Sequence, residues 1–253
     1  MSGPIALHGG GEFQAGDEPF LRRVLELASG RAGREGREAG DPVRIAIVPT
    51  AAARGRPGLV GAHGTEAFRR VAASASQVPM EIQVEVVAVL DAASAADPDL
   101  VARLDAADLI HLPGGDPDLI PTILAGTAAW DAILAVHRGG AVVAGASAGA
   151  MALATWTWTP GGGIPGLGLA PGLIVVPHAG ASNWRTVLER SRTGTPAGLG
   201  VLGVAERTAA ISRPEEAGVW DVVGEGEVRW MGAGKEPDST IVVSSGGNLR
   251  LPG

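Results

Sequence analysis

Residues 141–144 form an uninterrupted apolar run, Ala-Val-Val-Ala, and six small residues follow it at positions 145–150. A short strand without polar side chains is typical of a parallel sheet that is covered on both faces. The small residues allow a tight turn from this strand into a helix, because larger side chains would collide there. This segment therefore predicts an α/β fold with a mainly parallel sheet.

Short apolar runs alternate with helical patterns over the first two thirds of the chain, which predicts right-handed βαβ crossovers. After about residue 200 the pattern changes to short strands separated by Gly and Pro turns, which predicts a short antiparallel C-terminal portion. We expect residues 1–253 to form a single domain. The predicted strands are 5–8, 44–48, 84–89, 109–112, 141–144 and 173–176, and the predicted helices are 17–28, 63–73, 97–106, 128–138 and 150–154.

The composition excludes several classes of site and partner. The chain has no cysteine, which excludes disulfides, zinc–thiolate sites, iron–sulfur clusters and a cysteine nucleophile. The net charge of −7 argues against a basic surface for nucleic acid or anionic lipid. Glycines and prolines interrupt the uncharged stretch 139–177, so it does not read as a membrane span, and no signal peptide pattern precedes it. We therefore expect a soluble, cytoplasmic protein.

Ser147 is the candidate nucleophile. It is the central residue of a Gly-x-Ser-x-Gly motif that lies between the apolar strand and a helix-compatible segment, which is the context of a nucleophile elbow. Such a turn lifts the hydroxyl above the carboxyl edge of the sheet. The alternative is that the motif only allows close packing of a helix on a strand, since Gly and Ala are abundant in this chain.

His178 is the best-placed candidate base among the five histidines. It follows the apolar run 173–176, at the end of a strand, where parallel sheets present their functional loops. A capping or partly buried histidine is the alternative. No Asp or Glu occurs between Ser147 and His178, which argues against the α/β-hydrolase order of Ser, acid and His. Glu206, which ends the apolar run 202–205, is the candidate acid. Its alternative partners are Arg207 and solvent.

Backbone N–H groups are the expected donors to an oxyanion. Ala148 follows the nucleophile, and the glycine pair Gly114 and Gly115 ends a neighbouring predicted strand, where glycine permits close approach of a substrate. We expect Ala148 and one of these two glycines to form the oxyanion hole. Gly114 and Asp116 are further candidates for substrate binding. Metal and cofactor patterns are not evident, and we expect neither.

These motifs together resemble the cyanophycinase and aspartyl dipeptidase (peptidase E) family of serine peptidases. The resemblance implies a three-layer α/β/α sandwich like that of class I glutamine amidotransferases, with serine in place of their cysteine. It also implies a Ser-His-Glu triad of Ser147, His178 and Glu206, with an oxyanion hole at Gly115 and Ala148. The matching segments are 7–12 (Leu-His-Gly-Gly-Gly-Glu), 113–116 (Pro-Gly-Gly-Asp), 145–150, His178 and 203–209.

The surroundings of the candidate base depart from the family pattern. Val176 and Pro177 precede His178, and Pro117 stands after Asp116, where the family carries polar residues. Aspartyl specificity is therefore open, and Arg185 or Arg190 is the candidate cation for a substrate carboxylate. We expect a serine exopeptidase or dipeptidase that acts on small or acidic peptides. The alternative is an amidotransferase-like domain that has lost catalysis and serves as a binding or regulatory module, and a homodimer is an open possibility for either.

Overall fold

The computed structural model describes residues 1–32, 41–74, 80–192 and 194–251. Two sheets and seven α-helices make up these parts of the chain. The strands are β1 Ile5–His8, β2 Val43–Ile47, β3 Ile82–Val86, β4 Leu109–Leu112, β5 Val142–Ala146, β6 Ala154–Thr157, β7 Ile164–Pro165, β8 Ala170–Val176, β9 Gly200–Val204, β10 Thr208–Ser212, β11 Val219–Gly224, β12 Glu227–Met231, β13 Ile241–Ser244 and β14 Asn248–Arg250. The helices are α1 Glu18–Ala32, α2 Pro57–Ser74, α3 Pro98–Asp105, α4 Leu119–Leu124, α5 Ala128–Arg138, α6 Ala148–Leu153 and α7 Trp184–Arg192.

The central sheet has the strand order β14-β11-β10-β1-β5-β4-β2-β3. Strands β1, β5, β4, β2 and β3 run parallel, whereas β10, β11 and β14 are antiparallel to their neighbours. Every residue of β4 and β5 is buried, as expected for strands that are covered on both faces. The α/β class and the mainly parallel sheet with an antiparallel C-terminal portion are confirmed.

The second sheet has the order β13-β12-β9-β8-β6-β7 and was not anticipated from the sequence. Its strands β6, β8 and β9 run parallel, and β7, β12 and β13 add to it antiparallel. The chain crosses back to the central sheet between β9 and β10, through residues 205–207. The antiparallel C-terminal portion therefore begins at β10, because β9 still pairs in parallel with β8.

Apolar side chains cover both faces of the central sheet. On one face Phe20 of α1 and Phe68 of α2 pack on Ile45 and other strand residues. On the other face the helices α3 to α6 and the inner face of the second sheet form a larger cluster, to which Ile110 and Val175 belong. The outer face of the second sheet packs against α7. Successive side chains of a strand point to opposite faces of the sheet, so they are buried in different apolar clusters.

Helix α2 begins at Pro57, six residues before the predicted start at 63. Proline is well suited to the first helical turn, where its missing N–H would have no partner. The glycines that weaken the helical pattern here have a packing role. A Cβ atom would lie 2.7 Å from Val86 at Gly61 and 2.7 Å from Ile47 at Gly64, so glycine lets the helix approach β2 and β3 closely. Among the described helices, none is long and apolar enough to cross a membrane.

Candidate active site

Ser147 occupies the sharp turn between β5 and α6. Its backbone has φ 49° and ψ −112°, a conformation that non-glycine residues rarely adopt and that costs about 1–3 kcal/mol. Small neighbours are required for this turn, because a Cβ atom at Gly145 would lie 2.5 Å from the backbone of Gly149. The small residues of the motif therefore allow α6 to pack closely on β5. The same turn holds Ser147 in a strained backbone conformation.

The imidazole of His178 faces this serine. Its Nε2 lies 3.1 Å from Ser147 Oγ, which is within hydrogen-bond distance. His178 follows β8 and also has a positive φ of 56°. Asn183 Nδ2 donates to its carbonyl oxygen at 2.8 Å. The ring packs on the backbone of Gly10, where an added Cβ would overlap Cε1 and lie 2.9 Å from Nε2.

Glu206 lies behind the histidine, on the short connection from β9 to β10. Its Oε1 is 2.8 Å from His178 Nδ1, so a continuous hydrogen-bonded line runs from Ser147 through His178 to Glu206. Arg207, the alternative partner, instead places its Nε 2.9 Å from Glu225. About half of each side chain is exposed, 47% for His178 and 55% for Glu206. The pair is therefore open to solvent on one side.

Three consecutive backbone carbonyls at the end of β1 tie the three loops together. His8 O accepts from Ser147 N–H at 2.9 Å, Gly9 O from His178 N–H at 2.8 Å, and Gly10 O from Arg207 N–H at 2.8 Å. Each of these three donors belongs to a residue with positive φ. The hydrogen bonds therefore offset the backbone strain at the three loops and set their spacing.

A buried contact between His8 and Asp17 lies next to residues 8–10. His8 Nε2 lies 2.9 Å from Asp17 Oδ1, and both side chains are inaccessible to solvent. His8 Nδ1 accepts from the N–H of Gly10 at 3.2 Å, which fixes the residue on which the His178 ring packs. In the sequence, His8 stands in the segment 7–12, and no local pattern links it to Asp17. Their pairing was not detectable because it depends on how α1 docks beneath β1.

The two glycines after β4 have different surroundings. The N–H of Gly114 donates to Glu12 Oε1 at 2.8 Å and is therefore occupied. In the described parts of the chain the N–H groups of Gly115 and Ala148 have no acceptor. Gly115 has φ 152°, and a Cβ there would overlap the carbonyl oxygen of Ala51. Both free N–H groups adjoin the cavity next to Ser147.

A cavity of about 350 Å³ opens beside Ser147 and His178. It extends from the turn of the nucleophile to helix α7, and most of the side chains around it are apolar. The lining side chains beyond the polar site are Pro117, Met151, Trp158, Pro160, Val175, Val176, Pro177, Asn183, Val187, Arg190 and Ser191.

The structure places the two candidate arginines differently. Arg190 lines the cavity, whereas Arg185 points away from it and lies 3.4 Å from Asp238. Asp116 is not among the lining residues either, since its carboxylate faces Arg54 at 3.7 Å. Sequence position alone did not separate the two arginines, because both lie on the same helix.

One further histidine has a strongly perturbed environment. His111 of β4 is completely buried among the rings of Phe13, Phe20 and Phe68. Burial, with a smaller contribution from the charge of His8, lowers the pKa of His111 to about 3. Its imidazole is therefore neutral at physiological pH. In the described ranges, no group of three or more His, Asp and Glu side chains is arranged to bind a metal ion.

Comparisons with known proteins agree with this architecture. The model of peptidase family S51 matches residues 37–217. The fold is similar to a peptidase from an acI-B1 Actinobacterium, with a TM-score of 0.79 and 23% identity over 99% of this chain and 98% of that one. It is also similar to a protein from Listeria monocytogenes EGD-e that is named as a peptidase E, with a TM-score of 0.52 and 14% identity over 100% of both chains.

No curated protein matches the chain. The two structural similarities establish the fold, because identities below 25% carry no more than that. The family match covers well over half of the sequence. The chain therefore belongs to peptidase family S51 and is a hydrolase of peptide bonds.

Proposed function

We propose that the protein is a serine exopeptidase that hydrolyses small peptides through Ser147, His178 and Glu206. One observation carries this proposal. The distances of 3.1 Å from Ser147 Oγ to His178 Nε2 and 2.8 Å from His178 Nδ1 to Glu206 Oε1 match those of a nucleophile, its base and the residue that orients the base.

The reaction proceeds through an acyl-enzyme. Ser147 Oγ attacks the peptide carbonyl carbon while His178 Nε2 takes its proton, and Glu206 stabilises the resulting imidazolium. The oxyanion is bound by the N–H groups of Gly115 and Ala148. His178 then protonates the leaving amine as the C–N bond breaks. Finally, water attacks the ester with His178 as base, and this step releases the acid and restores the serine.

The size of the cavity favours small peptides over folded protein substrates. Its volume of about 350 Å³ lies near the lower end of the range of roughly 300–1,000 Å³ that is typical of small-ligand sites. The chemistry needs no cofactor, because all its proton transfers involve the three side chains and water. Action in the cytoplasm and assembly into a homodimer stay predictions from the sequence.

Hydrolysis of a dipeptide panel by the wild type and by Ser147→Ala tests the proposal. We expect the variant to lose at least roughly 10³-fold in kcat, because it has no nucleophile. A fluorophosphonate is expected to label the wild type and not the variant. Ser239→Ala is the control, because its exposed hydroxyl donates to the Glu236 carbonyl outside the cavity.

Equal rates for the wild type and Ser147→Ala would contradict the proposal. A folded wild type that neither reacts with the fluorophosphonate nor hydrolyses any peptide would favour the alternative of a catalytically inactive binding domain.

A further inference from the structure

Among the described residues, the cavity beside Ser147 has an apolar wall and one arginine. Eight apolar side chains line the wall: Pro117, Met151, Trp158, Pro160, Val175, Val176, Pro177 and Val187. A substrate carboxylate placed against this wall, out of reach of Arg190, would lose its hydration without gaining a partner, which is strongly unfavourable. An apolar side chain would instead be stabilised by leaving water for this wall.

A leaving residue bound in this cavity would lie next to His178. His178 must reach the nitrogen of the departing amine in order to protonate it. The wall continues from His178 through Pro177 to Val187 of helix α7. A leaving residue that occupies the space next to His178 therefore contacts the apolar wall with its side chain.

Arg190 is the cation of this cavity. Asn183, Val187, Arg190 and Ser191 all line it, and their spacing of three or four residues places them on one face of the helical segment. Within the described residues Arg190 has no ion-pair partner, whereas Arg185, on another face of α7, pairs with Asp238. A guanidinium without a carboxylate partner is suited to bind one from a ligand, with two parallel hydrogen bonds.

We propose that the site selects small peptides whose leaving residue has an apolar side chain and a free α-carboxylate, and that Arg190 binds this carboxylate. The inference rests on the proposed function of Ser147 and deepens it. In this proposal Arg190 binds the C-terminal α-carboxylate of the peptide and not the side-chain carboxylate of an aspartyl leaving residue.

The test is kcat/KM for two dipeptide series, Ala-X and Asp-X, with Leu, Phe or Asp as X. In each series we expect Leu and Phe to exceed Asp by at least about tenfold, because an Asp side chain must be desolvated against the wall. Amidation of the C-terminus of Ala-Leu removes the charge that Arg190 binds. It is expected to lower kcat/KM of the wild type by about 10- to 100-fold, mainly through KM.

Two matched variants separate the arginines. Arg190→Gln has no guanidinium to bind the carboxylate of Ala-Leu. We therefore expect this variant to hydrolyse Ala-Leu and its amide with similar kcat/KM. Arg185→Gln removes the other arginine of α7, and it is expected to keep the discrimination of the wild type. Binding of the carboxylate by Arg190 is overturned if Arg190→Gln still discriminates, or if Arg185→Gln is the variant that loses discrimination.

The outcomes also distinguish this inference from the proposed function. If fluorophosphonate labels Ser147 and dipeptides are hydrolysed, but Asp is preferred at X or amidation has no effect, only the inference fails. If the wild type is neither labelled nor active on any peptide, the proposed function fails and the inference fails with it.

Discussion

At the scale of single residues, the candidate site depends on three positions with unusual backbone conformations. Ser147, His178 and Arg207 have φ values of 49°, 56° and 51°. Their N–H groups all donate to the consecutive carbonyls of residues 8–10. Strain of this kind persists only where the surrounding structure enforces it, and it concentrates at functional sites. The glycines at the end of β1 matter because they bring this backbone close enough to accept all three bonds.

Gly10 offers a direct test of this arrangement. In Gly10→Ala the new methyl group would overlap the His178 imidazole, and alanine is strained at φ 103°. We expect kcat to fall by roughly 10²-fold, because misplacing a catalytic group by about 1 Å has an effect of this size. Steady-state kinetics and the rate of fluorophosphonate labelling measure it, with circular dichroism to establish that the variant is folded.

Gly58→Ala is the matched control for Gly10→Ala. A Cβ atom at this exposed position of α2 meets nothing within 4 Å, so activity is expected to stay unchanged and stability to rise by up to about 1 kcal/mol. Normal kcat in folded Gly10→Ala would show that the packing of the imidazole on Gly10 is not needed for its placement.

At the scale of elements, the candidate residues follow the carboxyl ends of parallel strands. The glycine pair follows β4, Ser147 follows β5, His178 follows β8 and Glu206 follows β9. Strands β8 and β9 pair in register, with Val176 opposite Gly203, so their ends are neighbours. The second sheet thus brings base and acid together, while the central sheet supplies the nucleophile. We expect helices remote from these ends to contribute to stability and not to catalysis.

Helix α3 is such a remote element, and its N-cap can be removed without touching the site. Asp97 accepts hydrogen bonds from the N–H groups of Asp99 at 2.9 Å and Leu100 at 3.4 Å. Asp97→Ala is expected to lower the free energy of unfolding by about 1 kcal/mol and leave kcat/KM unchanged. Urea denaturation measures the loss in unfolding free energy, which is expected as a lower midpoint at an unchanged m-value.

Asp99→Ala is the comparison for Asp97→Ala, because it removes a first-turn carboxylate that makes no cap. Its expected loss is only about 0.3–1 kcal/mol, through the helix dipole. A larger loss for Asp99→Ala than for Asp97→Ala would contradict the assignment of the cap.

At the scale of the whole molecule, the buried His111 links folding to pH. Its folded pKa of about 3 lies below the ordinary value of 6.5, because burial disfavours the charged ring. Below pH 6.5 the unfolded chain takes up a proton that the folded protein does not. Stability is therefore lost as pH falls from about 6.5 towards 3, by about 1.4 kcal/mol per unit once the unfolded histidine is fully charged.

His111→Leu removes this proton uptake while keeping an apolar side chain among the three phenylalanine rings. Between pH 7.5 and pH 5 the variant is expected to lose about 2 kcal/mol less unfolding free energy than the wild type. Chemical denaturation at both pH values measures the difference. His63→Gln, which removes a histidine at an exposed position of α2, is the control variant. A similar pH dependence in His111→Leu would rule out His111 as its source.

Local pattern in the sequence was sufficient for much of the fold. Strands β1 and β4 and helix α5 have the predicted bounds, because each is a short periodic run between clear turn or capping residues. The tight turn at Ser147 was also readable, since only small residues fit there. The uncharged interval before His178 placed the candidate acid downstream, where the structure has Glu206 next to the imidazole.

Tertiary structure alone decided the features that depend on long-range pairing. Three features join segments that are distant in sequence. They are the second sheet, the hydrogen bonds of residues 8–10 to three loops, and the position of Arg190 rather than Arg185 beside the cavity. Hydrophobic periodicity reports whether a strand is buried, but it does not report which strand lies beside it. The sequence by itself therefore determined the parallel strands of the central sheet and the candidate nucleophile, and only the packing of the sheets determined the geometry around Ser147.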